Sequence, residues 1–284
     1  MDQGIIDLYD RFTHGAISRR AFLDRLVALA GGAAAAAALL PLLANDYARA
    51  ETVPENDARL DSETLSIAEV PRLTGYFVRP KQGPKRANVI VLHENRGLNP
   101  HIRDVARRIA LEGFAALAID CLSPQGGTPA DEDKARDMFA KLKPEDAVAY
   151  ARAAVSVLER REDTTDDVGA VGFCWGGGGV NDLAVAESRL DAVVAYYGRQ
   201  PPLDRVKEIQ APMLLHYAGL DERITSGAAA YEAALKQAGK HVEMYIYPGV
   251  NHAFNNDTAP ARYNKEAADL AWSRTVAFLR KHLS

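Results

Sequence analysis

The sequence predicts an α/β fold, a mainly parallel β-sheet with helices on both faces. Two observations carry that expectation. Short runs rich in Val, Ile and Tyr recur at 73–78, 88–93, 115–120, 168–173, 192–197, 213–217 and 242–247, and they read as strands. Between most of them lie helical patterns, at 102–112, 144–159, 177–186, 226–237 and 262–282. Alternation of this kind builds a parallel sheet whose crossovers cover both faces. No helix separates 73–78 from 88–93, so the first strand is expected to be antiparallel.

The chain has 284 residues, 48% of them hydrophobic and 25% charged, the composition of a soluble globular protein. A formal net charge of −4, with both signs mixed along the chain, gives no reason to expect nucleic acid as a partner. Once residues 1–50 and a polar, aperiodic linker or arm at 51–71 are set aside, roughly 220 residues remain, enough for one domain at 72–284 and one active site. The chain shows no internal repeat, and only its Ala tract is low in complexity.

Residues 1–50 read as an export signal. Ser18-Arg19-Arg20-Ala21-Phe22-Leu23 precedes a mildly apolar stretch from 26 to 43, and the small-x-small triplet Ala48-Arg49-Ala50 follows. Basic pair, apolar region and cleavage-like site in that order make a secretory signal, and paired arginines followed by Phe-Leu resemble the twin-arginine subtype, although Asp24 stands where a basic residue is more usual. A transmembrane anchor is the competing reading, because the run is about long enough to span a bilayer. It ranks second: Ala and Gly fill 31–38, which is weakly hydrophobic for a stable span. An ordinary core helix is disfavoured, since the run is apolar on every face. The expectation is a periplasmic or otherwise exported protein that engages an export machinery and keeps no stable membrane span after processing. Export raises the question of pairing between Cys121 and Cys174. The two thiols end different predicted strands and are expected to stay free.

Directly after the strand at 168–173 comes Gly172-Phe173-Cys174-Trp175-Gly176-Gly177-Gly178-Gly179, followed by a helical pattern. A strand, sharp turn and helix of this kind is what a G-x-S-x-G nucleophile elbow requires, here with cysteine in place of serine. Glycines beside the nucleophile let strand and helix approach closely. A helix N-terminus stabilises a thiolate, the attacking species, and the Trp175 N–H would serve as one oxyanion donor. The competing readings are a phosphate cradle, which lacks both G-x-G-x-x-G and a P-loop Lys-Ser/Thr, and a buried cysteine acting only as a small hydrophobe.

In a hydrolase built on such an elbow the chain order is nucleophile, acid, histidine, each at or beyond a strand's C-terminal end. The strand at 213–217 is followed by Ala218-Gly219-Leu220-Asp221-Glu222, and the strand at 242–247 by Pro248-Gly249-Val250-Asn251-His252-Ala253-Phe254. Asp221 would fix the tautomer of His252, whose other ring nitrogen faces the sulfur. Glu222 and Asp257 are alternative acids, and Asp221 could be a turn or N-cap residue. The other histidines are less well placed. His14 falls in the leader, His101, His241 and His282 at helix ends, and His93 and His216 inside strands, as core or near-site groups.

With its Gly-Phe-Cys-Trp-Gly-Gly elbow, Gly-Leu-Asp-Glu loop and Asn-His-Ala-Phe loop, the chain from about residue 65 onward resembles the dienelactone hydrolase (carboxymethylenebutenolidase) family of α/β-hydrolases. The loop His93-Glu94-Asn95-Arg96-Gly97-Leu98-Asn99 is a further match. The resemblance implies that Glu94 sits beside Cys174 and takes its proton when substrate arrives, and that the Asn95 N–H is the second oxyanion donor. A structural ion pair of Glu94 with Arg96 or Arg103 is the alternative. It also implies arginines for a substrate carboxylate: Arg262 lies near one such position, and Arg136, in the divergent segment 123–141, is a candidate for the other.

The expected activity is cleavage of a small-molecule ester or lactone by a Cys174–His252–Asp221 triad through a thioester, with no metal or organic cofactor required. A broader carboxylesterase or thioesterase on the same scaffold is the first alternative. A non-catalytic binding or redox-sensing protein using Cys174 as a reactive thiol is the second.

Overall fold

The computed structural model describes residues 1–47 and 51–283. The cleavage-like triplet Ala48-Arg49-Ala50 lies outside the described residues. Eight strands, β1 (Leu60–Ser66), β2 (Thr74–Pro80), β3 (Asn88–Leu92), β4 (Ala115–Asp120), β5 (Val168–Phe173), β6 (Ala192–Tyr196), β7 (Met213–Ala218) and β8 (Val242–Tyr247), form one sheet in the order β1-β2-β4-β3-β5-β6-β7-β8. Strands β3 to β8 run parallel, whereas β2 is antiparallel to β4 and β1 to β2. The α/β-hydrolase expectation therefore stands, as does the antiparallel entry strand. Strand β1 was not expected. It falls inside the segment read as linker, because as an edge strand it exposes most of its length and half-buries only Leu60 and Leu65, leaving no alternation to detect.

The helices are α1 (Gln3–Thr13), α2 (Arg19–Ala30), α3 (Ala33–Leu43), α4 (Pro100–Leu111), α5 (Glu132–Phe139), α6 (Pro144–Glu159), α7 (Trp175–Ala186), α8 (Glu222–Thr225), α9 (Ala228–Gln237) and α10 (Lys265–His282). Side chains of α6, α7 and α9 pack with Ile90 and Leu92 on one face of the sheet, and those of α4 and α10 pack with Val89 and Val91 on the other. Helix α5 lies in the divergent segment where no element was expected; Asp131 caps it by accepting the Lys134 N–H.

The chain's first helices build a third, smaller core. Ile5, Leu8, Tyr9 and Phe12 of α1 pack against Phe22, Leu26, Ala36 and Leu43 of α2 and α3, with Phe12 and Phe22 stacked at 4.7 Å between ring centroids. The apolar stretch 26–43 is not one continuous helix. Gly31, at φ 76°, and Gly32, at φ 147°, stop α2 and start α3, conformations that favour glycine. The two helices are bent by 114°, and no single helix among the described residues is long and apolar enough to cross a membrane.

Candidate active site

The strand order reverses direction at β3, which pairs with β4 on one side and β5 on the other. Crevices open beyond the carboxyl ends of strands at such a point, and here they bring the 93–99 loop beside the elbow that follows β5. Cys174 sits at φ 55°, ψ −113°, a strained backbone for a residue with a Cβ. It is held by its N–H donating to the Tyr196 carbonyl at 3.0 Å, and its own carbonyl accepts the Gly178 N–H at 3.1 Å to begin α7. A Cβ on Gly172 would strike the Gly176 carbonyl, and one on Gly176 the Leu92 carbonyl, so both positions must lack side chains for strand and helix to meet this closely.

The loops after β7 and β8 are tied together. The Gly219 N–H donates to the Tyr247 carbonyl at 2.8 Å and the Leu220 N–H to the Val250 carbonyl at 3.0 Å. This places the Asp221 carboxylate against His252, with Nδ1 to Oδ2 at 2.5 Å. Of the alternative acids, Asp257 engages His101 and Arg108 instead. His252 Nε2 is buried without a hydrogen-bond partner, and one donor atom each from His252, Cys174 and His14 lie within 4.8 Å of one another. Burial disfavours charge on His252, but the neighbouring Cys174 and Asp221 outweigh it and raise its pKa to about 10. Burial also acts against ionised Asp221, yet His252 and Arg223 hold its carboxyl below the usual range.

His14 is the residue that sequence reasoning missed. Its Nε2 lies 3.4 Å from Cys174 Sγ and its Nδ1 2.7 Å from the Asp10 carbonyl, and its ring meets His252 edge-on at 4.7 Å. Burial, followed by the charges of His252 and Arg223, lowers its pKa well below the ordinary value, so it is a neutral imidazole. The signal that could have found it is the period of α1, where Ile5, Leu8, Tyr9 and Phe12 mark one apolar face of a helix with a core to join. With one nitrogen of each histidine anchored to oxygen, His14, Cys174 and His252 are also the described residues best arranged to hold a soft cation.

A cavity of about 390 Å³ opens beside Cys174, lined by that residue, His252, Asn95, Trp175 and Arg136, with Tyr197 and Phe139 among its apolar walls. The other expected residues are placed differently. Glu94 is buried, with Oε2 accepting from Asn256 at 2.9 Å and Oε1 unpartnered. Its suggested ion-pair partners are engaged elsewhere, Arg96 by Glu132 and Arg103 by Glu55. Arg262 is buried and paired with Asp10 at 3.0 Å; it does not line the cavity. Arg136 pairs with Asp133 at 3.1 Å. Both cysteines are free, and burial pushes the Cys121 thiol far up.

The dienelactone hydrolase family profile matches residues 73–283. The chain belongs to the dienelactone hydrolase family. It is a carboxylic ester hydrolase of that type. A carboxymethylenebutenolidase-family protein of Saccharolobus solfataricus is 35% identical over 242 residues, covering 72% of this chain and 93% of the relative. One of Escherichia coli O157:H7 is 30% identical, covering 80% and 89%. Among solved structures, a dienelactone-hydrolase-family protein of Klebsiella pneumoniae superposes with a TM-score of 0.71 at 28% identity, covering 78% of this chain and 98% of its own. A second profile, YqhI-like, matches residues 1–31, the segment that delivers His14 to this hydrolase site.

Proposed function

We propose that this hydrolase cleaves an ester or lactone through Cys174, His252 and Asp221 with a thioester intermediate. The observation that carries the reading is the buried Asp221–His252 hydrogen bond of 2.5 Å beside a cysteine in a strained strand-to-helix elbow. The Cys174 thiolate adds to the substrate carbonyl carbon, and the carbonyl π electrons move onto oxygen. The Asn95 and Trp175 N–H groups stabilise that oxyanion. Its collapse breaks the C–O bond, and the leaving alkoxide takes the proton from His252 Nε2. Neutral His252 then accepts a proton from water as hydroxide attacks the thioester, and the second collapse returns Cys174 as thiolate with His252 protonated. In the resting enzyme Cys174 carries its proton; Glu94 accepts it when substrate enters and returns it to the Cys174 thiolate once the product has left, which closes the cycle.

One observation favours a broader carboxylesterase over a strict dienelactone hydrolase. Most of the cavity's accessible wall is carbon, although Arg136, Arg199 and Arg223 also line it, and Arg262 is committed to Asp10 rather than facing it. A panel of lactones against linear neutral esters separates the two. We further propose that residues 18–23 direct export through a twin-arginine route; fractionation of wild type against an Arg19→Lys, Arg20→Lys variant tests it, and equal partitioning would refute it. For the chemistry, Cys174→Ala should lower hydrolysis of 4-nitrophenyl acetate by at least about a thousandfold with an unchanged circular dichroism spectrum. A variant that keeps its activity would refute the nucleophile.

A further inference from the structure

The turn that carries His252 also carries a second buried side chain, and this one reaches the 93–99 loop. Asn256 is fully buried, and its Nδ2 donates to Glu94 Oε2 at 2.9 Å. Which end of an amide faces a partner is decided by its other bonds. Asn256 Oδ1 accepts both the Thr258 N–H at 3.0 Å and the Thr258 hydroxyl at 2.6 Å. A backbone N–H can only donate, so turning the amide over would set its NH2 against that N–H. Toward Glu94, Asn256 is therefore a fixed donor. Its own N–H donates to the Ala253 carbonyl at 2.9 Å, which ties it to the residue after His252. None of these contacts involves residues 1–50.

Glu94 is 3% exposed, and no cation is in ion-pair contact with it among the described residues: Arg96 meets Glu132, Arg103 meets Glu55 and Arg262 meets Asp10. A carboxyl group carries its proton on one oxygen, and an oxygen that already faces a fixed N–H has no place for it. Oε2 is that oxygen. Oε1 is buried with no hydrogen-bond partner, which leaves it as the atom free to take a proton. Tyr197 lines the cavity with Cys174, and Glu94 and Cys174 both act through space on its hydroxyl. Around Glu94 its charge is also felt by His93, Arg96 and Arg262. We propose that Asn256 is a positioning residue for proton transfer: by donating to Oε2 it makes Glu94 Oε1 the atom that takes the Cys174 proton and later returns it. In the forward step the S–H bond breaks with its electron pair left on sulfur and an O–H bond forms at Oε1, so the negative charge passes from carboxylate to thiolate. Asn256 acts only through Glu94. This inference rests on the reading of Glu94 as the acceptor of the thiol proton.

The test uses the full chain as wild type, Asn256→Asp, Glu94→Gln and the double variant. Turnover of 4-nitrophenyl acetate is followed from about pH 6 to about pH 9, and guanidinium unfolding is a measure independent of turnover. Asn256→Asp keeps the side chain's size and an acceptor for both Thr258 donors, but sets a second carboxylate against Glu94, and two carboxylates in such contact share a proton. Its kcat/KM is expected to fall on the order of a hundredfold at the acid end, and the deficit to shrink as pH rises and the shared proton leaves. A deficit that stays constant across pH, as misplaced reacting groups would give, or no deficit at all, would overturn the proposal. The double variant reverses donor and acceptor across the contact, so its unfolding midpoint should recover toward wild type while its turnover stays as low as that of Glu94→Gln. Losses of stability that simply add would refute the contact. Full turnover by Glu94→Gln would overturn the proposal while leaving Cys174, His252 and Asp221 in their roles. If the wild type turns over no ester, the hydrolase reading falls and the midpoints decide: recovery in the double variant supports Asn256 as the fixed donor to Glu94, and additive losses refute it. Should Asn256→Asp fail to fold, Thr258→Val decides in its place. It removes one of the two donors that fix the amide, so a deficit of about threefold with the same pH trend is expected, and an unchanged profile refutes the proposal.

Discussion

Asp221 Oδ2 and His252 Nδ1 are 2.5 Å apart and both buried, although 31 residues separate them in the chain. Burial alone would strip the proton from His252, yet the charges of Cys174 and Asp221 raise its pKa to about 10. An imidazole with a raised pKa stays protonated from acid through neutral pH and loses its charge only as pH climbs toward that value. The alkaline limb of kcat/KM, which reports the free enzyme, is therefore expected near pH 10 in the wild type. Asp221→Asn removes one of the two charges that hold the proton, so the limb moves down by about one unit or more, and kcat/KM falls by about two to four orders of magnitude through loss of the correct tautomer. A pH–rate profile of the two proteins checks both; an unmoved limb would show that Asp221 does not set the protonation of His252.

Phe12 ties α1 to the rest of its small core. It stacks on Phe22 at 4.7 Å and lies under the Arg136 guanidinium at 4.3 Å, joining the N-terminal helices to the cavity wall. Phe12→Ala should cost about 3–5 kcal/mol locally, enough to loosen α1 from α2. Because the main cores of the sheet do not include Phe12, the loss is expected as faster hydrogen exchange over residues 3–43, with the midpoint of sheet unfolding shifted by less than about 2 °C. Uniform loss of protection across the sheet would show that the N-terminal helices and the hydrolase core unfold as one unit.

Most of the sheet was legible because parallel strands buried on both faces read as continuous apolar runs, as at Val89-Ile90-Val91-Leu92. The meeting of Cys174, Asp221 and His252 was legible because each follows a strand that the pattern could locate. Strand β1 escaped because its edge position leaves Asp61, Ser62, Glu63 and Thr64 exposed. His14 escaped for a different reason. Its partner is 160 residues away, and the same segment carries the basic pair and apolar run of an export signal, so its amphipathic period had a second explanation. The engagement of Arg262 was equally hidden, since nothing local to residue 262 reveals that Asp10 lies above it.

Gly176 sets how closely the elbow approaches the 93–99 loop. It stands in the first turn of α7, and a Cβ there would come within 2.6 Å of the His93 carbonyl and closer still to that of Leu92. Both are backbone atoms at the end of β3 and cannot rotate aside. Gly176→Ala must therefore push α7 away from β3 and carry Cys174 away from Asn95. Overpacking of this kind costs about 1–3 kcal/mol, and a misplacement near 1 Å at a reacting centre costs about a hundredfold in rate. Gly179, one turn further along the same helix, is the matched control. Its added Cβ would meet the Leu92 Cδ1 at 3.1 Å, the end of a side chain that can shift, and alanine improves helix propensity by about 1 kcal/mol. Guanidinium unfolding and ester turnover should thus separate the pair: Gly176→Ala loses stability and about a hundredfold in kcat, while Gly179→Ala stays within about 1 kcal/mol of wild type and keeps its rate. If both variants behave alike, the close approach of α7 to β3 does not position the nucleophile.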